Sequence, residues 1–125
     1  MPVWILVMLG GALGSGARHA VNVLVAQTFR RPFPYATLAV NIVGCAIAGL
    51  LAGLVASGRL TLAPSARAFV FVGVLGGFTT FSAFGLDTFT LAYQGHRAHA
   101  AYNVAAHVIL CLVAVATAYF IASRS

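Results

Sequence analysis

The sequence predicts an all-α integral membrane protein, and three observations support that class. Of the 125 residues, 62% are hydrophobic and only 6% are charged, whereas about a quarter of the residues in a soluble domain are charged. The apolar residues form long stretches, and most of the arginines lie near the ends of these stretches. So little polar surface cannot coat a water-soluble globule, and the natural solvent is a lipid bilayer. At roughly 20 residues per span, residues 1–125 form one domain with room for about four transmembrane helices.

Helix-breaking residues and arginines delimit the four spans. The first, about residues 3–28, ends at RRPFP, where two prolines stop a helix. The second, about 35–57, ends at SGR, and the third, about 65–92, begins after Pro64, a residue favoured in a first helical turn. The fourth, about 99–122, follows the link YQGHRAH. Because the links are short, successive spans should be antiparallel. The N-terminus lacks a basic region, so we expect a retained span and not a signal peptide.

The third span contains GVLGGFTTFSAF, which predicts a broken helix. Twenty-eight helical residues would reach about 42 Å, longer than a hydrocarbon core of about 30 Å. Either tilt or a break at Gly76-Gly77 would absorb the excess. Adjacent glycines weaken a helix by about 1 kcal/mol each, and the threonines that follow can bond the freed backbone groups. Broken membrane helices occur where carbonyl groups line a cavity or hold an ion.

The charge of the chain is strongly positive, with seven arginines against one acid, Asp87, and a formal net charge of +6. In a soluble protein this charge would point to nucleic acid. Here snorkelling of arginines to lipid headgroups accounts for it better, and we expect no nucleic-acid partner. The positive balance weakly favours an anion as cargo.

The arginines are also distributed almost evenly between the two sides of the membrane. With four spans, the links and termini on the two sides carry three each: Arg59, Arg67 and Arg124 against Arg30, Arg31 and Arg97. The seventh, Arg18, lies deep in the second half of the first span and nominally adds to the latter side. The positive-inside rule needs an asymmetry to set the orientation, so we expect the chain to insert either way up. An antiparallel, dual-topology homodimer then becomes possible. It is also the simpler way to form a pathway, because four helices enclose little space.

Small residues recur on the faces of the first two spans. They are Gly10, Gly11, Gly14 and Gly16 in the first, and Gly44, Ala48, Gly49, Ala52 and Gly53 in the second. Such faces let helix backbones approach closely, within one chain or between chains. Cys45 and Cys111 lie within spans at no metal-like spacing, so we expect free thiols and not a disulfide.

Asn41 is a polar residue at membrane depth, about seven residues into the second span. Such residues are costly in lipid and are candidates for function. Asn41 either forms a hydrogen bond between helices or donates its amide N–H to a dehydrated anion. Thr37 lies one turn earlier on the same face.

Phe81 and Phe84 are three residues apart in the third span and share a face. Simple packing is one interpretation of this pair. The other uses the positive edge of each ring, since two edges pointing into a narrow path would stabilise a dehydrated anion. The hydroxyl groups of Thr80 and Ser82 lie nearby in sequence.

His107 and Cys111 form a polar stripe on the fourth span with Asn103, one turn before. The stripe is either satisfied locally or faces a pathway. Asp87 in an apolar helix requires a cation, and Arg18 at a similar depth is the candidate partner, in a structural or vestibule role. The sequence contains no carboxylate pair, nucleophile–base set or metal-ligand cluster that would indicate an enzyme.

Three motifs in a four-span chain of this length resemble the CrcB/Fluc family of small fluoride channels: GGALGSGAR (10–18), TLAVNIVG (37–44) and GGFTTFSAF (76–84). The resemblance covers nearly the whole chain, and the third motif is the specific one. It implies an antiparallel dual-topology homodimer with two pores in the inner membrane. It also implies passive exit of fluoride, driven by the membrane potential and by accumulation of fluoride as HF.

The resemblance also implies roles for individual residues. Pore residues would be Phe81, Phe84 and Asn41, with His107 and Cys111 where the family often has hydroxyl side chains. Thr37, Arg18 and Asp87 would lie near the pore mouth. The carbonyl groups of Gly76 and Thr79 would hold a structural sodium ion between the two subunits. Two residues depart from the family pattern: Ala83 stands where threonine is usual, and Cys111 is a poorer donor than serine.

Two other functions remain to be weighed. A four-span, proton-coupled multidrug exporter would need a buried carboxylate, typically a glutamate in the first span, and the chain has no glutamate. A non-conducting subunit would explain the small-residue faces but not Asn41 together with a broken third span. The sequence therefore favours a fluoride-selective channel.

Overall fold

A computed structural model describes residues 1–30 and 33–124, and every regular element within them is a helix. The elements are α1 (Val3–Thr28), α2 (Tyr35–Ala56), α3 (Pro64–Arg67), a π-helical segment π1 (Ala68–Leu75), α4 (Gly76–Phe78), α5 (Phe81–Tyr93) and α6 (Arg97–Arg124). Pro64 occupies the first turn of α3, where its missing N–H costs no hydrogen bond. Arg31, one of the arginines counted in the links, lies outside the described residues.

Three helical stretches of the described chain are long and apolar enough to cross a membrane: Tyr35–Ala56, Pro64–Tyr93 and Arg97–Arg124. The architecture is therefore that of an all-α membrane protein. α1 has 26 residues, a length of about 39 Å at 1.5 Å per residue, and it contains four glycines together with Arg18.

α2 and α6 run parallel in close contact, because glycines on α2 face the backbone of α6. A Cβ atom built at Gly49 would collide with the carbonyl group of Val115, and one at Gly53 would lie 2.5 Å from the carbonyl oxygen of Tyr119. The contact therefore advances by one turn on both helices at once. The same register, continued two turns towards the N-terminus of α2, places Asn41 opposite His107, and both line one cavity.

α1 packs against π1 and α4 in the same way. A Cβ atom at Gly10 would lie 2.6 Å from the carbonyl oxygen of Phe69, and one at Gly14 would collide with the carbonyl oxygen of Val74. Both glycines are buried. Gly10 and Gly14, like Gly49 and Gly53 on α2, thus pack helices within one chain, which is one of the two roles expected for the small residues.

The helical stretch that begins at Pro64 is interrupted between α4 and α5. Thr79 (φ −84°, ψ 161°) and Thr80 (φ −153°, ψ 118°) have extended backbones, whereas Gly76 and Gly77 are helical. The sequence predicted the break at Gly76-Gly77, but the interruption begins two residues later, at Thr79. The missing side chain of Gly77 serves close packing instead, since a Cβ atom there would lie 2.5 Å from the carbonyl oxygen of Gly11.

Candidate functional site

A cavity of about 370 Å³ lies where α2, α6 and the interruption meet. Six of the pore residues predicted from the sequence line it: Asn41, Thr80, Phe81, Phe84, His107 and Cys111. Cys45, Thr79, Val108 and Leu112 complete the lining. Ser82 is not part of the lining, but its hydroxyl lies 3.3 Å from that of Thr80. The fold thus collects residues from three helical segments around one space.

Asn41 holds the interrupted backbone through two hydrogen bonds. Its Nδ2 donates to the Thr80 carbonyl at 3.0 Å, and its Oδ1 accepts from the Thr80 N–H at 2.8 Å. Backbone groups outside a helix need such partners when they are buried. Asn41 therefore forms hydrogen bonds between α2 and the interrupted third stretch. One amide hydrogen of Nδ2 is not used by Thr80, because an asparagine amide carries two.

The N-terminus of α5 lies at the cavity, where it favours negative charge. Thr80 caps the helix, since its Oγ1 accepts from the Ala83 N–H at 3.1 Å. The N–H groups of a first helical turn lack helical partners, and the helix dipole is positive at this end. Because Thr80 Oγ1 already accepts a hydrogen bond from Ala83, its own proton is available to an acceptor such as Ser82 or an anion.

The aromatic rings form a short row along the cavity. The centroids of Phe81 and Phe84 are 5.4 Å apart with the rings tilted by 57°. Phe84 in turn lies 4.3 Å from the His107 ring. Phe81 is 82% exposed in the single chain, so the chain itself leaves this ring uncovered.

His107 is buried on α6 and has one ring nitrogen without a partner among the described residues. Its Nδ1 lies 3.0 Å from the Asn103 carbonyl oxygen. That oxygen can only accept, so Nδ1 carries the hydrogen and the neutral ring has a lone pair at Nε2, the nitrogen without a partner. His107 can therefore donate from Nε2 to an anion only as an imidazolium.

Thr88 is a polar partner that the sequence interpretation missed. Its hydroxyl accepts from Asn103 Nδ2 at 2.9 Å and donates to the Phe84 carbonyl at 2.7 Å. The bond fixes Asn103, which is fully buried. Its position one turn after Phe84 was the available signal, because residues four apart share a helix face.

The residues predicted for the pore mouth do not all come together. Thr37 donates to Asp87 Oδ2 at 2.8 Å, whereas Arg18 Nε donates to the Gly77 carbonyl at 3.1 Å. The expected pair between Arg18 and Asp87 is therefore not formed in the described chain. The reason is packing: α1 lies against π1 and α4, which directs Arg18 to Gly77, while α5 presents Asp87 to α2.

The carbonyl groups at the interruption differ in their hydrogen-bond donors. Those of Leu75, Gly77 and Thr80 accept hydrogen bonds from Thr79, Arg18 and Asn41. The Thr79 carbonyl accepts none from the described residues, and Gly76 and Thr79 both line a second cavity of about 250 Å³. Helix C-termini leave carbonyl groups in need of partners, so carbonyl oxygens at this cavity are candidates to bind a cation.

Comparison with known proteins gives consistent matches over most of the chain. Residues 5–119 match the model of a family described as CrcB-like protein, Camphor Resistance (CrcB). A protein of Opitutus terrae is 48% identical over 116 residues, covering 92% of this chain and 88% of that protein. One of Paracoccus denitrificans is 53% identical over 110 residues, covering 87% and 85%. Both relatives carry the name fluoride-specific ion channel FluC.

Proposed function

The chain belongs to the CrcB family, and on that basis we propose that it conducts fluoride across a membrane. It is a fluoride-selective ion channel and not an enzyme, since an ion passes through it without any bond being made or broken. The observation that carries this conclusion is the identity with fluoride-specific channels over most of both chains. Its membrane-capable helices make it a multi-pass membrane protein, and we propose the inner membrane, where cytoplasmic fluoride leaves the cell.

We propose that the cavity around Asn41 is part of the fluoride path. Fluoride entering an apolar space loses water, and buried charge is costly unless polar groups replace the water. The unused Nδ2 hydrogen of Asn41, the hydroxyl of Thr80 and the first turn of α5 are donors on this cavity. The positive edges of Phe81 and Phe84 would add to them. Ser82, His107 and Cys111 would be further contacts along this path. Thr37 and Asp87 would lie at its mouth.

We further propose that two copies, inserted in opposite orientations, form the channel with four spans each. The nearly equal arginine counts on the two sides support this arrangement. The uncovered ring of Phe81 supports it as well, because it lies beside a cavity that one chain alone does not enclose. α1 would be the fourth span, since its length exceeds the thickness of the hydrocarbon core. The interruption at Thr79 and Thr80 would then lie within the membrane.

A structural sodium ion fits the carbonyl groups at the interruption. Gly76 and Thr79 line the cavity at the interruption, and unwound carbonyls of membrane helices coordinate sodium in transporters. Bound there, the ion would neutralise the partial charges of carbonyls from both copies. We propose this site at the dimer interface.

The alternative of a proton-coupled exporter lacks support. The single acid of the chain, Asp87, accepts a hydrogen bond from Thr37 and lies on the third span and not the first. The named relatives are fluoride channels. The chain therefore offers no carboxylate in the position that proton exchange would use.

Purified protein in liposomes should dissipate a fluoride gradient and leave a chloride gradient in place. The reason is that the donors on the cavity are few and close, so that only a small anion replaces its water with them. A fluoride electrode and a chloride electrode in the same efflux assay measure both rates.

The Phe81→Ile variant tests the role of the ring in the same assay. Isoleucine keeps an apolar side chain but has no positive ring edge, so fluoride efflux should fall. Phe89→Ile is the matched control, because Phe89 is also exposed on α5 but lies outside the cavity. Equal fluoride efflux in Phe81→Ile and Phe89→Ile would return Phe81 to a packing role. In the wild-type assay, equal leakage of fluoride and chloride would count against a selective channel.

An experimental structure in lipid should contain two inverted copies and one spherical density bounded by four carbonyl oxygens on the axis between them. These oxygens would come from Gly76 and Thr79 of each copy. Copies with the same orientation would refute the dual topology. An axis filled by side chains alone would refute the sodium site.

A further inference from the structure

Two cysteines face each other across the interface of α2 and α6. Cys45 follows Asn41 by one turn on α2, and Cys111 follows His107 by one turn on α6. Both are free thiols and half-buried, and both line the 370 Å³ cavity. One turn further, Gly49 contacts the backbone of α6 at Val115, four residues after Cys111, so the helix register places the two cysteines opposite each other.

We propose that this thiol pair binds a soft divalent cation of the mercuric type between its two sulfur atoms. Thiolates select soft metal ions over hard ones. A zinc site would require about four ligands, and the described residues contain no group of three or more His, Cys, Asp or Glu side chains placed for a metal. A cation that accepts two sulfur ligands in a line matches the donors that are present.

Charge also favours a divalent ion. Each thiol loses its proton to water as its sulfur–metal bond forms, so binding releases two protons and changes no oxidation state. Two thiolates and one divalent cation give a neutral unit. A neutral unit avoids the cost of burying net charge beside apolar neighbours such as Val108 and Leu112, which line the same cavity.

The bound ion would also obstruct the cavity. It would sit one turn from Asn41 on α2 and one turn from His107 on α6, between two helices that both line the space. This second part rests on the proposed function, because it assumes that fluoride passes through the cavity. Binding itself does not depend on that assumption.

Mercuric chloride titrated into the purified protein tests the binding. One equivalent per chain should remove both free thiols, measured with a chromogenic thiol reagent. Cys45→Ser and Cys111→Ser each retain one sulfur, so 2-mercaptoethanol should strip mercury from them on the order of 100-fold more readily than from the pair, because the second sulfur acts at a high effective concentration. Two equivalents per chain, or equal stripping from all three proteins, would overturn the site.

Fluoride efflux from proteoliposomes tests the obstruction, with each protein compared with its own untreated rate. Mercuric chloride should reduce efflux of the wild type, dithiothreitol should restore it, and the double variant C45S/C111S should be insensitive. Unchanged efflux with mercury bound would overturn the obstruction. Absence of efflux before mercury is added would instead count against the proposed function and would leave the titration result standing.

Discussion

Replacing Asn41 by leucine should reduce fluoride efflux by about 10- to 100-fold. Leucine removes both bonds to Thr80 and leaves a buried N–H and carbonyl unpaired, at a cost of about 1–3 kcal/mol for each such group. The extended backbone between α4 and α5 would then lose the side chain that fixes it. Efflux from proteoliposomes measures the effect, and gel filtration shows whether the protein is still assembled.

Asn22→Leu is the matched control for this change. Asn22 is an exposed asparagine on α1, so its replacement should leave efflux near the wild-type rate. Asn41→Asp keeps the bond from the Thr80 N–H but loses the donor to the Thr80 carbonyl and adds a charge that repels an anion, so its efflux should also fall. Wild-type efflux in Asn41→Leu would show that neither the anchor nor the amide donor is needed.

Gly14→Ala should destabilise the protein by about 1–3 kcal/mol, the range typical of overpacking. A Cβ atom at Gly14 would collide with the carbonyl oxygen of Val74 in π1, and backbone cannot move aside as a flexible side chain can. Separation of α1 from π1 would also withdraw Arg18 from Gly77. The apparent melting temperature in detergent should therefore fall.

Gly16→Ala is the control, two residues further along the same helix. A Cβ atom there meets nothing within 4 Å, and alanine favours a helix over glycine by about 1 kcal/mol. The melting temperature of Gly16→Ala should therefore be unchanged or higher. Equal losses in both variants would contradict the packing of α1 described here.

The sequence identifies some residues of the candidate site but not their hydrogen-bond partners. Asn41 and His107 stand out in sequence because a polar residue inside an apolar stretch is costly and therefore informative. Their partners do not, since Asn41 bonds Thr80 across 39 residues and Thr37 bonds Asp87 across 50. Arg18 shows the limit most clearly: its depth matched that of Asp87, but the side of α1 on which it lies directs it to Gly77.

Composition alone predicts a helical membrane protein. Hydropathy is a sum over residues that requires no knowledge of their contacts, and lipid leaves few ways other than a helix to satisfy backbone hydrogen bonds. The adjacent glycines and threonines of GVLGGFTTFSAF also predicted where the third helical stretch is least stable as a helix. Helix register decided the rest. Gly49 and Gly53 set how α2 meets α6, and that contact places Cys45 and Cys111 on the same cavity as Asn41. Such pairings depend on residues far apart in the chain, and a local pattern carries no information about them.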